Sequence, residues 1–436
     1  MSIYSDWGFK GNPFVQTPLL PNPQGAALLV GRTKEEQALT KLLTNPPKLP
    51  VLEGANGVGK TSLVNVTTYK LFDKFFQTRN SPLFVPCAKS FQLGAGKNLE
   101  TFCDEVLMEV AQTLIDHGKL IKTQYTGSLD HSAAVNAWLN SPVFTSWEGG
   151  IPLLSFGKGS APTESSGFER SGFRKLVSQW LRDVFPTPEF GGIVCVIDNL
   201  ELLQTSETAS ALLEQLRDPL FTIHGLRFVL CGAAGITWSL ASSPRLEGIL
   251  HNPLEIGGLT SALAPEILTS RRHAFTAGED EAYLPLLSSD FERLYEVLNR
   301  NLRAVLSHSD EFCMWLSDQP APPTNDEAKH QAFETWFKEQ CRKVYKAADA
   351  VLTPRRWEIF DRAVALGGVF APNDFQKFGC NSMPALRPIL EALEEAQLLK
   401  SSRDDTDKRR KSIVVTPRGR LAAEYRKTHS KQPAKP

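Results

Sequence analysis

Residues 49–64 read LPVLEGANGVGKTSLV. A short apolar segment leads into a glycine-rich octet, Gly54–Thr61, that fits the pattern GxxxxGK[ST] in full. The stretch KTSLVNVTTYKLFDKFF then leaves the loop with helical spacing. A strand entering and a helix leaving is the setting in which such a loop holds phosphate. The glycines let backbone N–H groups turn inward, and the helix N-terminus adds partial positive charge. Lys60 is spaced to reach the β- and γ-phosphates, and the Thr61 hydroxyl to coordinate Mg²⁺. The sequence therefore predicts a site for ATP and Mg²⁺ on Gly54, Ala55, Asn56, Gly57, Val58, Gly59, Lys60, Thr61 and Ser62.

A second stretch completes the expectation. IVCVIDNLELL, from Ile193, is an apolar strand that delivers one carboxylate, Asp198, to its C-terminal end. Asp198 is the natural Mg²⁺ partner of Thr61. The next residue is Asn199, which can orient a water molecule but cannot take its proton. Glu201 is the nearest carboxylate for positioning water. A displaced base favours slow chemistry, a switch more than a motor.

Between and around these stretches, helical patterns alternate with short apolar strands up to about residue 258, which predicts a parallel α/β sheet. Residues 1–27 are rich in Pro, Gly and Asn and read as an irregular arm with aromatic anchors at Trp7, Phe9 and Phe14. Residues 148–167 break the pattern with Gly, Ser and Pro, as a hairpin insertion or a loop. From 259 to about 349 the chain reads helical, with an exposed Pro-rich loop at SDQPAPPTND.

Composition sets outer limits. With 436 residues, 42% hydrophobic and 22% charged, the chain is an ordinary globular one with room for two or three cores. Its seven cysteines show no CxxC pair, which argues against a zinc site or a disulfide framework. No signal peptide or membrane-spanning run is apparent, and a cytoplasmic location with no membrane partner is expected. Net charge is zero, yet residues 351–436 hold 17 Lys and Arg against 10 Asp and Glu, so the remainder is acidic by seven. That local excess suits phosphate contacts.

Taken together, LLVGR with Glu35 or Glu36, GANGVGKTSL and VIDNLELL resemble the origin-recognition and replication-initiator branch of AAA+ ATPases, to which STAND signalling ATPases are related. The resemblance implies that Val30, Gly31 and Arg32 line an adenine pocket. GFKGNPF, Gly8 to Phe14, also resembles the Asn-Pro-Phe arm that precedes the P-loop domain in several bacterial AAA+ proteins. In the family a polar residue on the strand RFVLCGAAG senses the γ-phosphate; the nearest position here is Cys231, a weak donor. ASSPRLEGIL resembles the segment whose arginine reaches a neighbouring subunit, which points to Arg245. LNRNLRAVLSHSDEF resembles the helix whose arginine touches the nucleotide, with Arg303 aligning best and Arg300 second.

Residues 350–436 follow the order helix, helix, helix, hairpin, helix and resemble a winged helix of the multiple-antibiotic-resistance-regulator type. Asp404, Asp407 and Arg409 match the charged tip, and Thr416, Pro417 and Gly419 the return strand. Ser382 and Arg387 on the third helix, with Lys408, Arg409, Arg410 and Lys411 at the tip, are the candidate contacts to double-stranded DNA. Pro388 and three following glutamates weigh against deep groove insertion.

The expected architecture is thus α/β: a P-loop AAA+ parallel-sheet domain with its arm over 1–258, a helical lid over 259–349, and a winged helix with a basic tail over 350–436. The expected function is slow ATP hydrolysis that governs oligomeric assembly and DNA binding. Two alternatives stay open: a STAND-type signalling or bacterial defence ATPase whose winged helix meets a protein partner, and a DNA-targeting transposition regulator.

Overall fold

The computed structural model describes residues 2–94, 96–124, 166–203, 206–233, 236–241, 243–278, 281–404 and 410–429. The stretch read as an insertion lies outside these residues as far as 165. Five parallel strands form the central sheet: β1 (Val51–Glu53), β2 (Leu83–Gln92), β3 (Gly191–Asp198), β4 (Leu226–Gly232) and β5 (Leu254–Glu255). Their spatial order is β2-β3-β4-β1-β5, so β4 stands between the strand that enters the glycine loop and the strand that ends in Asp198.

The continuous apolar runs follow from this position, because a parallel sheet is covered on both faces. In β3, Ile193, Cys195 and Ile197 face one core with Phe102, Val106, Phe173 and Leu181. Val194 and Val196 face the other with Leu39, Leu43, Leu63 and Val64. Packing on both faces sets the height of Asp198 at the edge of the sheet.

The lid is built from four helices, Ala264–Phe275, Ser288–Val297, Leu302–Ser317 and Asp326–Asp349. Asn301 and Asn325 cap the last two, each side chain accepting from a backbone N–H three residues on. Phe291, Leu294, Phe312, Phe333 and Trp336 fill the core between them. The N-terminal arm packs into this same core through Tyr4, Phe9 and Phe14. Its Asn12 side chain accepts from Phe14 N through Oδ1 at 2.7 Å and donates through Nδ2 to Asp310 at 3.0 Å. The Tyr4 hydroxyl donates to the same carboxylate.

Beyond the lid, a three-stranded antiparallel sheet of order β6-β8-β7 joins β6 (Val369–Phe370), β7 (Leu399–Asp404) and β8 (Arg410–Val415). Helices Pro354–Ala365 and Met383–Glu395 and the short turn Pro372–Phe378 pack on it around Trp357, Phe360, Phe378, Leu386, Leu393 and Ile413. This is the helix-and-hairpin arrangement of a winged helix, so the chain combines a parallel α/β sheet domain entered by the glycine loop, a helical lid and a winged helix. The 24-residue helix Asp326–Asp349 lies against the last helix, Pro417–His429, where Tyr345 and Tyr425 stack with centroids 4.7 Å apart. Leu421 enters the lid core, so the winged helix and the lid share packing.

Candidate functional site

The loop after β1 depends on glycine at two positions. Gly57 and Gly59 have φ of +86° and +97°, a region that costs little only without a Cβ. At Gly57 a Cβ would also lie 2.6 Å from Asn301 Oδ1 and 3.0 Å from Arg303 Cβ, so the glycine lets the lid approach the loop. Lys60 opens the 19-residue helix Lys60–Thr78. Its buried ammonium donates back across the loop to the carbonyls of Gly54 (2.8 Å) and Ala55 (3.3 Å).

One residue further, the Thr61 hydroxyl donates to Asp198 Oδ2 at 2.5 Å. The other carboxylate oxygen accepts from the backbone N of Asn199 at 2.8 Å, where the chain turns through φ of +57°. The site thus presents a hydroxyl and a carboxylate side by side at the foot of a helix N-terminus. Both are hard oxygen donors, the kind a Mg²⁺ ion takes while keeping water and phosphate oxygens as its other ligands.

These groups border one cleft between sheet, arm and lid. Asn56 through Ser62, Asp198 and Asn199 form its floor. The apolar wall is Leu28, Leu29, Val30, Leu259, Ile267, Leu302 and Leu306, and Gln16 to Leu19 of the arm close the side. The arm is fixed there because Leu19 N donates to Ser62 Oγ (3.0 Å) and Asn65 donates to Leu19 O (2.9 Å).

The structure places the other sequence-derived residues unevenly. Gly54 and Ala55 lie behind the cleft lining, their carbonyls taken by Lys60. Val30 lines the cleft, whereas Gly31 (φ +71°) packs beneath Leu259 and Leu263. Arg32 borders the cleft but spends its guanidinium elsewhere. It donates to Val58 O (2.9 Å), Gly257 O (2.7 Å) and Glu35 (2.7 Å), stapling the loop to the start of the lid. Burial explains this: a guanidinium removed from water takes the nearest carbonyls.

Arg303 lines the cleft from the first turn of its helix, while Arg300 (φ +61°) lies outside it, beside Gly258. Cys231 is fully buried on β4, between β1 and β3, and burial pushes its thiol well above the usual range. Glu201 sits on a short turn, Leu200–Leu203, with Oε2 buried and without a hydrogen-bond partner among the described residues. Arg245 is outside the cleft of its own chain, its side chain 77% exposed and paired with Glu214 at 3.2 Å.

On the winged helix, Ser382 occupies the cap position of Met383–Glu395 without a side-chain hydrogen bond. Arg387 is exposed and pairs with Glu391 one turn on at 3.0 Å. Lys408 and Arg409 lie outside the described residues, and Arg410 and Lys411 open β8 opposite Asp404 and Arg403.

Three contributions are not read from the sequence. Asn301 caps the Arg303 helix and also donates to Asn56 O at 3.2 Å, tying lid to loop. Arg271, on the first lid helix, is buried and lines the cleft. Glu53, at the end of β1, is buried and accepts from Thr237 Oγ1 (2.6 Å) and Trp238 Nε1 (3.1 Å). A lone carboxylate closing the apolar strand LPVLEG is the available signal for Glu53.

Comparison with known proteins finds likeness only at great sequence distance. No family model matches this chain, and no curated protein matches it either. Among solved structures, the ORC2 protein of Aeropyrum pernix, in ADPNP–ADP complexes, is 13% identical, with 96% of this chain and 98% of that one covered and a TM-score of 0.48. The Walker-type ATPase PABY2304 of Pyrococcus abyssi is 16% identical, covering 94% and 99%, at 0.45. The ORC1 protein of Aeropyrum pernix, solved in complex with DNA, is 13% identical, covering 93% and 96%, at 0.42. No described helix is long and apolar enough to cross a membrane.

Proposed function

We propose that this chain is an ATP-binding AAA+ ATPase that works as a slow, nucleotide-controlled switch over DNA binding and self-association. The observation that carries it is the Thr61–Asp198 pair at 2.5 Å beside the buried Lys60 ammonium, inside a cleft whose opposite wall is the lid. Backbone N–H groups of the loop and Lys60 would hold the phosphates, and Thr61 and Asp198 would hold Mg²⁺. When bound, the ion would neutralise phosphate charge; every other element of the switch comes from the chain. Arg303 and Asn301 bring the lid to the loop, so that occupancy of the cleft biases lid position.

The route outward is the shared packing of lid and winged helix through Asp326–Asp349, Leu421 and Tyr425. In this proposal 1–258 binds nucleotide, 259–349 responds to it and 350–436 engages double-stranded DNA. Asn199 in the place of a base, and Glu201 off the cleft, favour a state held for long periods over rapid cycling. Arg245, exposed and away from its own cleft, would serve a neighbouring copy. The deciding experiment measures duplex binding and mass in solution with and without a non-hydrolysable ATP analogue. Neither quantity changing with nucleotide would defeat the switch.

A further inference from the structure

Arg271 is a second buried cation of the cleft, like Lys60 without an anionic partner among the described residues, but it lies away from the glycine loop. The residue is 5% exposed, and Nη1 donates to two backbone carbonyls of the arm, Pro13 O (2.7 Å) and Val15 O (3.2 Å). Burial alone pushes its pKa down to about 10, which still leaves it charged at neutral pH. A buried cation held only by carbonyls is costly. A guanidinium also carries five donors, more than those two carbonyls use. What remains of its surface opens onto the cleft, from the same helix face as Ile267 four residues earlier.

The phosphate end of the cleft is already furnished by Gly57 to Ser62, Lys60 and Arg303. Arg271 instead lies with the arm segment that runs into Gln16–Leu19 and with the apolar wall at Ile267. We propose that Arg271 donates to the nucleoside moiety of the bound nucleotide, to ring nitrogens or ribose hydroxyls, and so reads the ligand at the end opposite Lys60. This rests on the cleft being a nucleotide site. Because the same guanidinium holds Pro13 and Val15, a ligand that engages it is felt directly by the arm.

The test uses the full chain and four ligands, ATP, ADP, AMP and adenosine, competed against a fluorescent nucleotide. Wild type, Arg271→Gln, Arg271→Lys and Lys60→Ala are compared. Arg271→Gln is expected to weaken all four ligands by a similar factor, about 10- to 100-fold, the usual scale for a hydrogen bond to a charged group. Lys60→Ala is expected to weaken ATP far more than AMP and to leave adenosine unchanged. A loss in Arg271→Gln that grows with the number of phosphates overturns the proposal, as does no loss at all. If thermal unfolding shows the glutamine variant to be misfolded, Arg271→Lys keeps the charge but loses the planar fork, and the same uniform loss is required of it. Nucleotide binding by wild type that neither Arg271 variant alters sinks this inference alone. Wild type binding none of the four ligands overturns the nucleotide reading, and this inference with it.

Discussion

The Thr61 hydroxyl and the Asp198 carboxylate, 137 residues apart in the chain, meet at 2.5 Å across the intervening strand β4. The glycine loop brings one and the apolar β3 brings the other, so the pair tests both readings together. Lys60→Ala is expected to abolish ATP binding or nearly so, because it removes the ammonium that sits inside the loop. Asp198→Ala is expected to keep metal-free binding and to lose most of the gain in affinity on adding Mg²⁺. Calorimetric titration with and without Mg²⁺ measures both. Unchanged affinity in both variants would remove the nucleotide site from this cleft.

Turnover by the isolated protein is expected to fall well below the ~1–100 s⁻¹ of typical kinases. Asn199 cannot accept a proton, and its left-handed backbone ties it to Asp198 instead. Glu201 carries a buried oxygen with no partner among the described residues, a group that gains from any water it can order. Glu201→Gln should therefore lower phosphate release further at unchanged ATP affinity. A wild-type rate in that variant takes Glu201 out of the mechanism.

Arg245 is held at the surface by an exposed ion pair with Glu214, an interaction of small worth that a better partner can displace. If a neighbouring copy offers a nucleotide phosphate, turnover per subunit rises with protein concentration. Arg245→Ala should then lose that rise, a factor of about 10³–10⁵ where such arginines act, without losing nucleotide affinity. A rate independent of concentration and untouched by the substitution leaves Arg245 as an ordinary surface residue.

The parts legible in the sequence are those where chemistry demands a residue type at a fixed spacing. The glycine loop, Thr61 and Asp198 are of this kind, since backbone reach and the oxygen donors proposed for Mg²⁺ leave few substitutes. Arg32 shows the limit. Val30 and Arg32 border the cleft, yet the Arg32 guanidinium is taken by Val58 O and Gly257 O, acceptors set by how the loop and lid fold together. Asn301 and Arg271 could not be read at all, because the lid returns to the loop from more than 200 residues away. The order of strands is equally hidden: apolar runs identify β3 and β4 but not that β4 separates β3 from β1.

Asp290 gives a prediction from electrostatics. It is almost fully buried, its Oδ1 faces His330 Nδ1 at 2.7 Å, and its Oδ2 has no partner. Burial raises its pKa, and His330 and Arg293 offset this only in part. A carboxylate raised on folding costs no stability below the ordinary range near ~3.9, and its cost appears as pH rises through the raised value. Asp290→Asn removes that cost. The melting temperature of the variant relative to wild type should therefore increase from about pH 4 towards neutrality. A difference that stays flat, or falls, means that the His330 pair outweighs burial.

The last prediction concerns DNA and separates two surfaces of the winged helix. Arg410 and Lys411 open β8, and Lys408 and Arg409 directly precede them in the sequence, a run of four cations suited to a phosphate backbone. Replacing Lys408, Arg409, Arg410 and Lys411 with alanine should weaken duplex binding equally for every sequence. The slope of log affinity against log salt should become shallower by roughly 0.9 for each phosphate that the variant no longer neutralises. Arg387 sits one turn into Met383–Glu395 and is already paired with Glu391. To reach a base edge it must give up that pair, and Pro388 and the following glutamates oppose close approach to phosphate. If it does reach one, Arg387→Ala costs about 1–3 kcal/mol at a preferred site and less elsewhere. Breaking the exposed Arg387–Glu391 pair costs little in stability, so the variant should stay folded. Gel-shift titrations at two salt concentrations, with an ATP analogue present, read both effects. Duplex binding by both variants at wild-type strength would mean that this winged helix packs on protein. A loss confined to the tip variant would make the wing the contact and leave the third helix outside the groove.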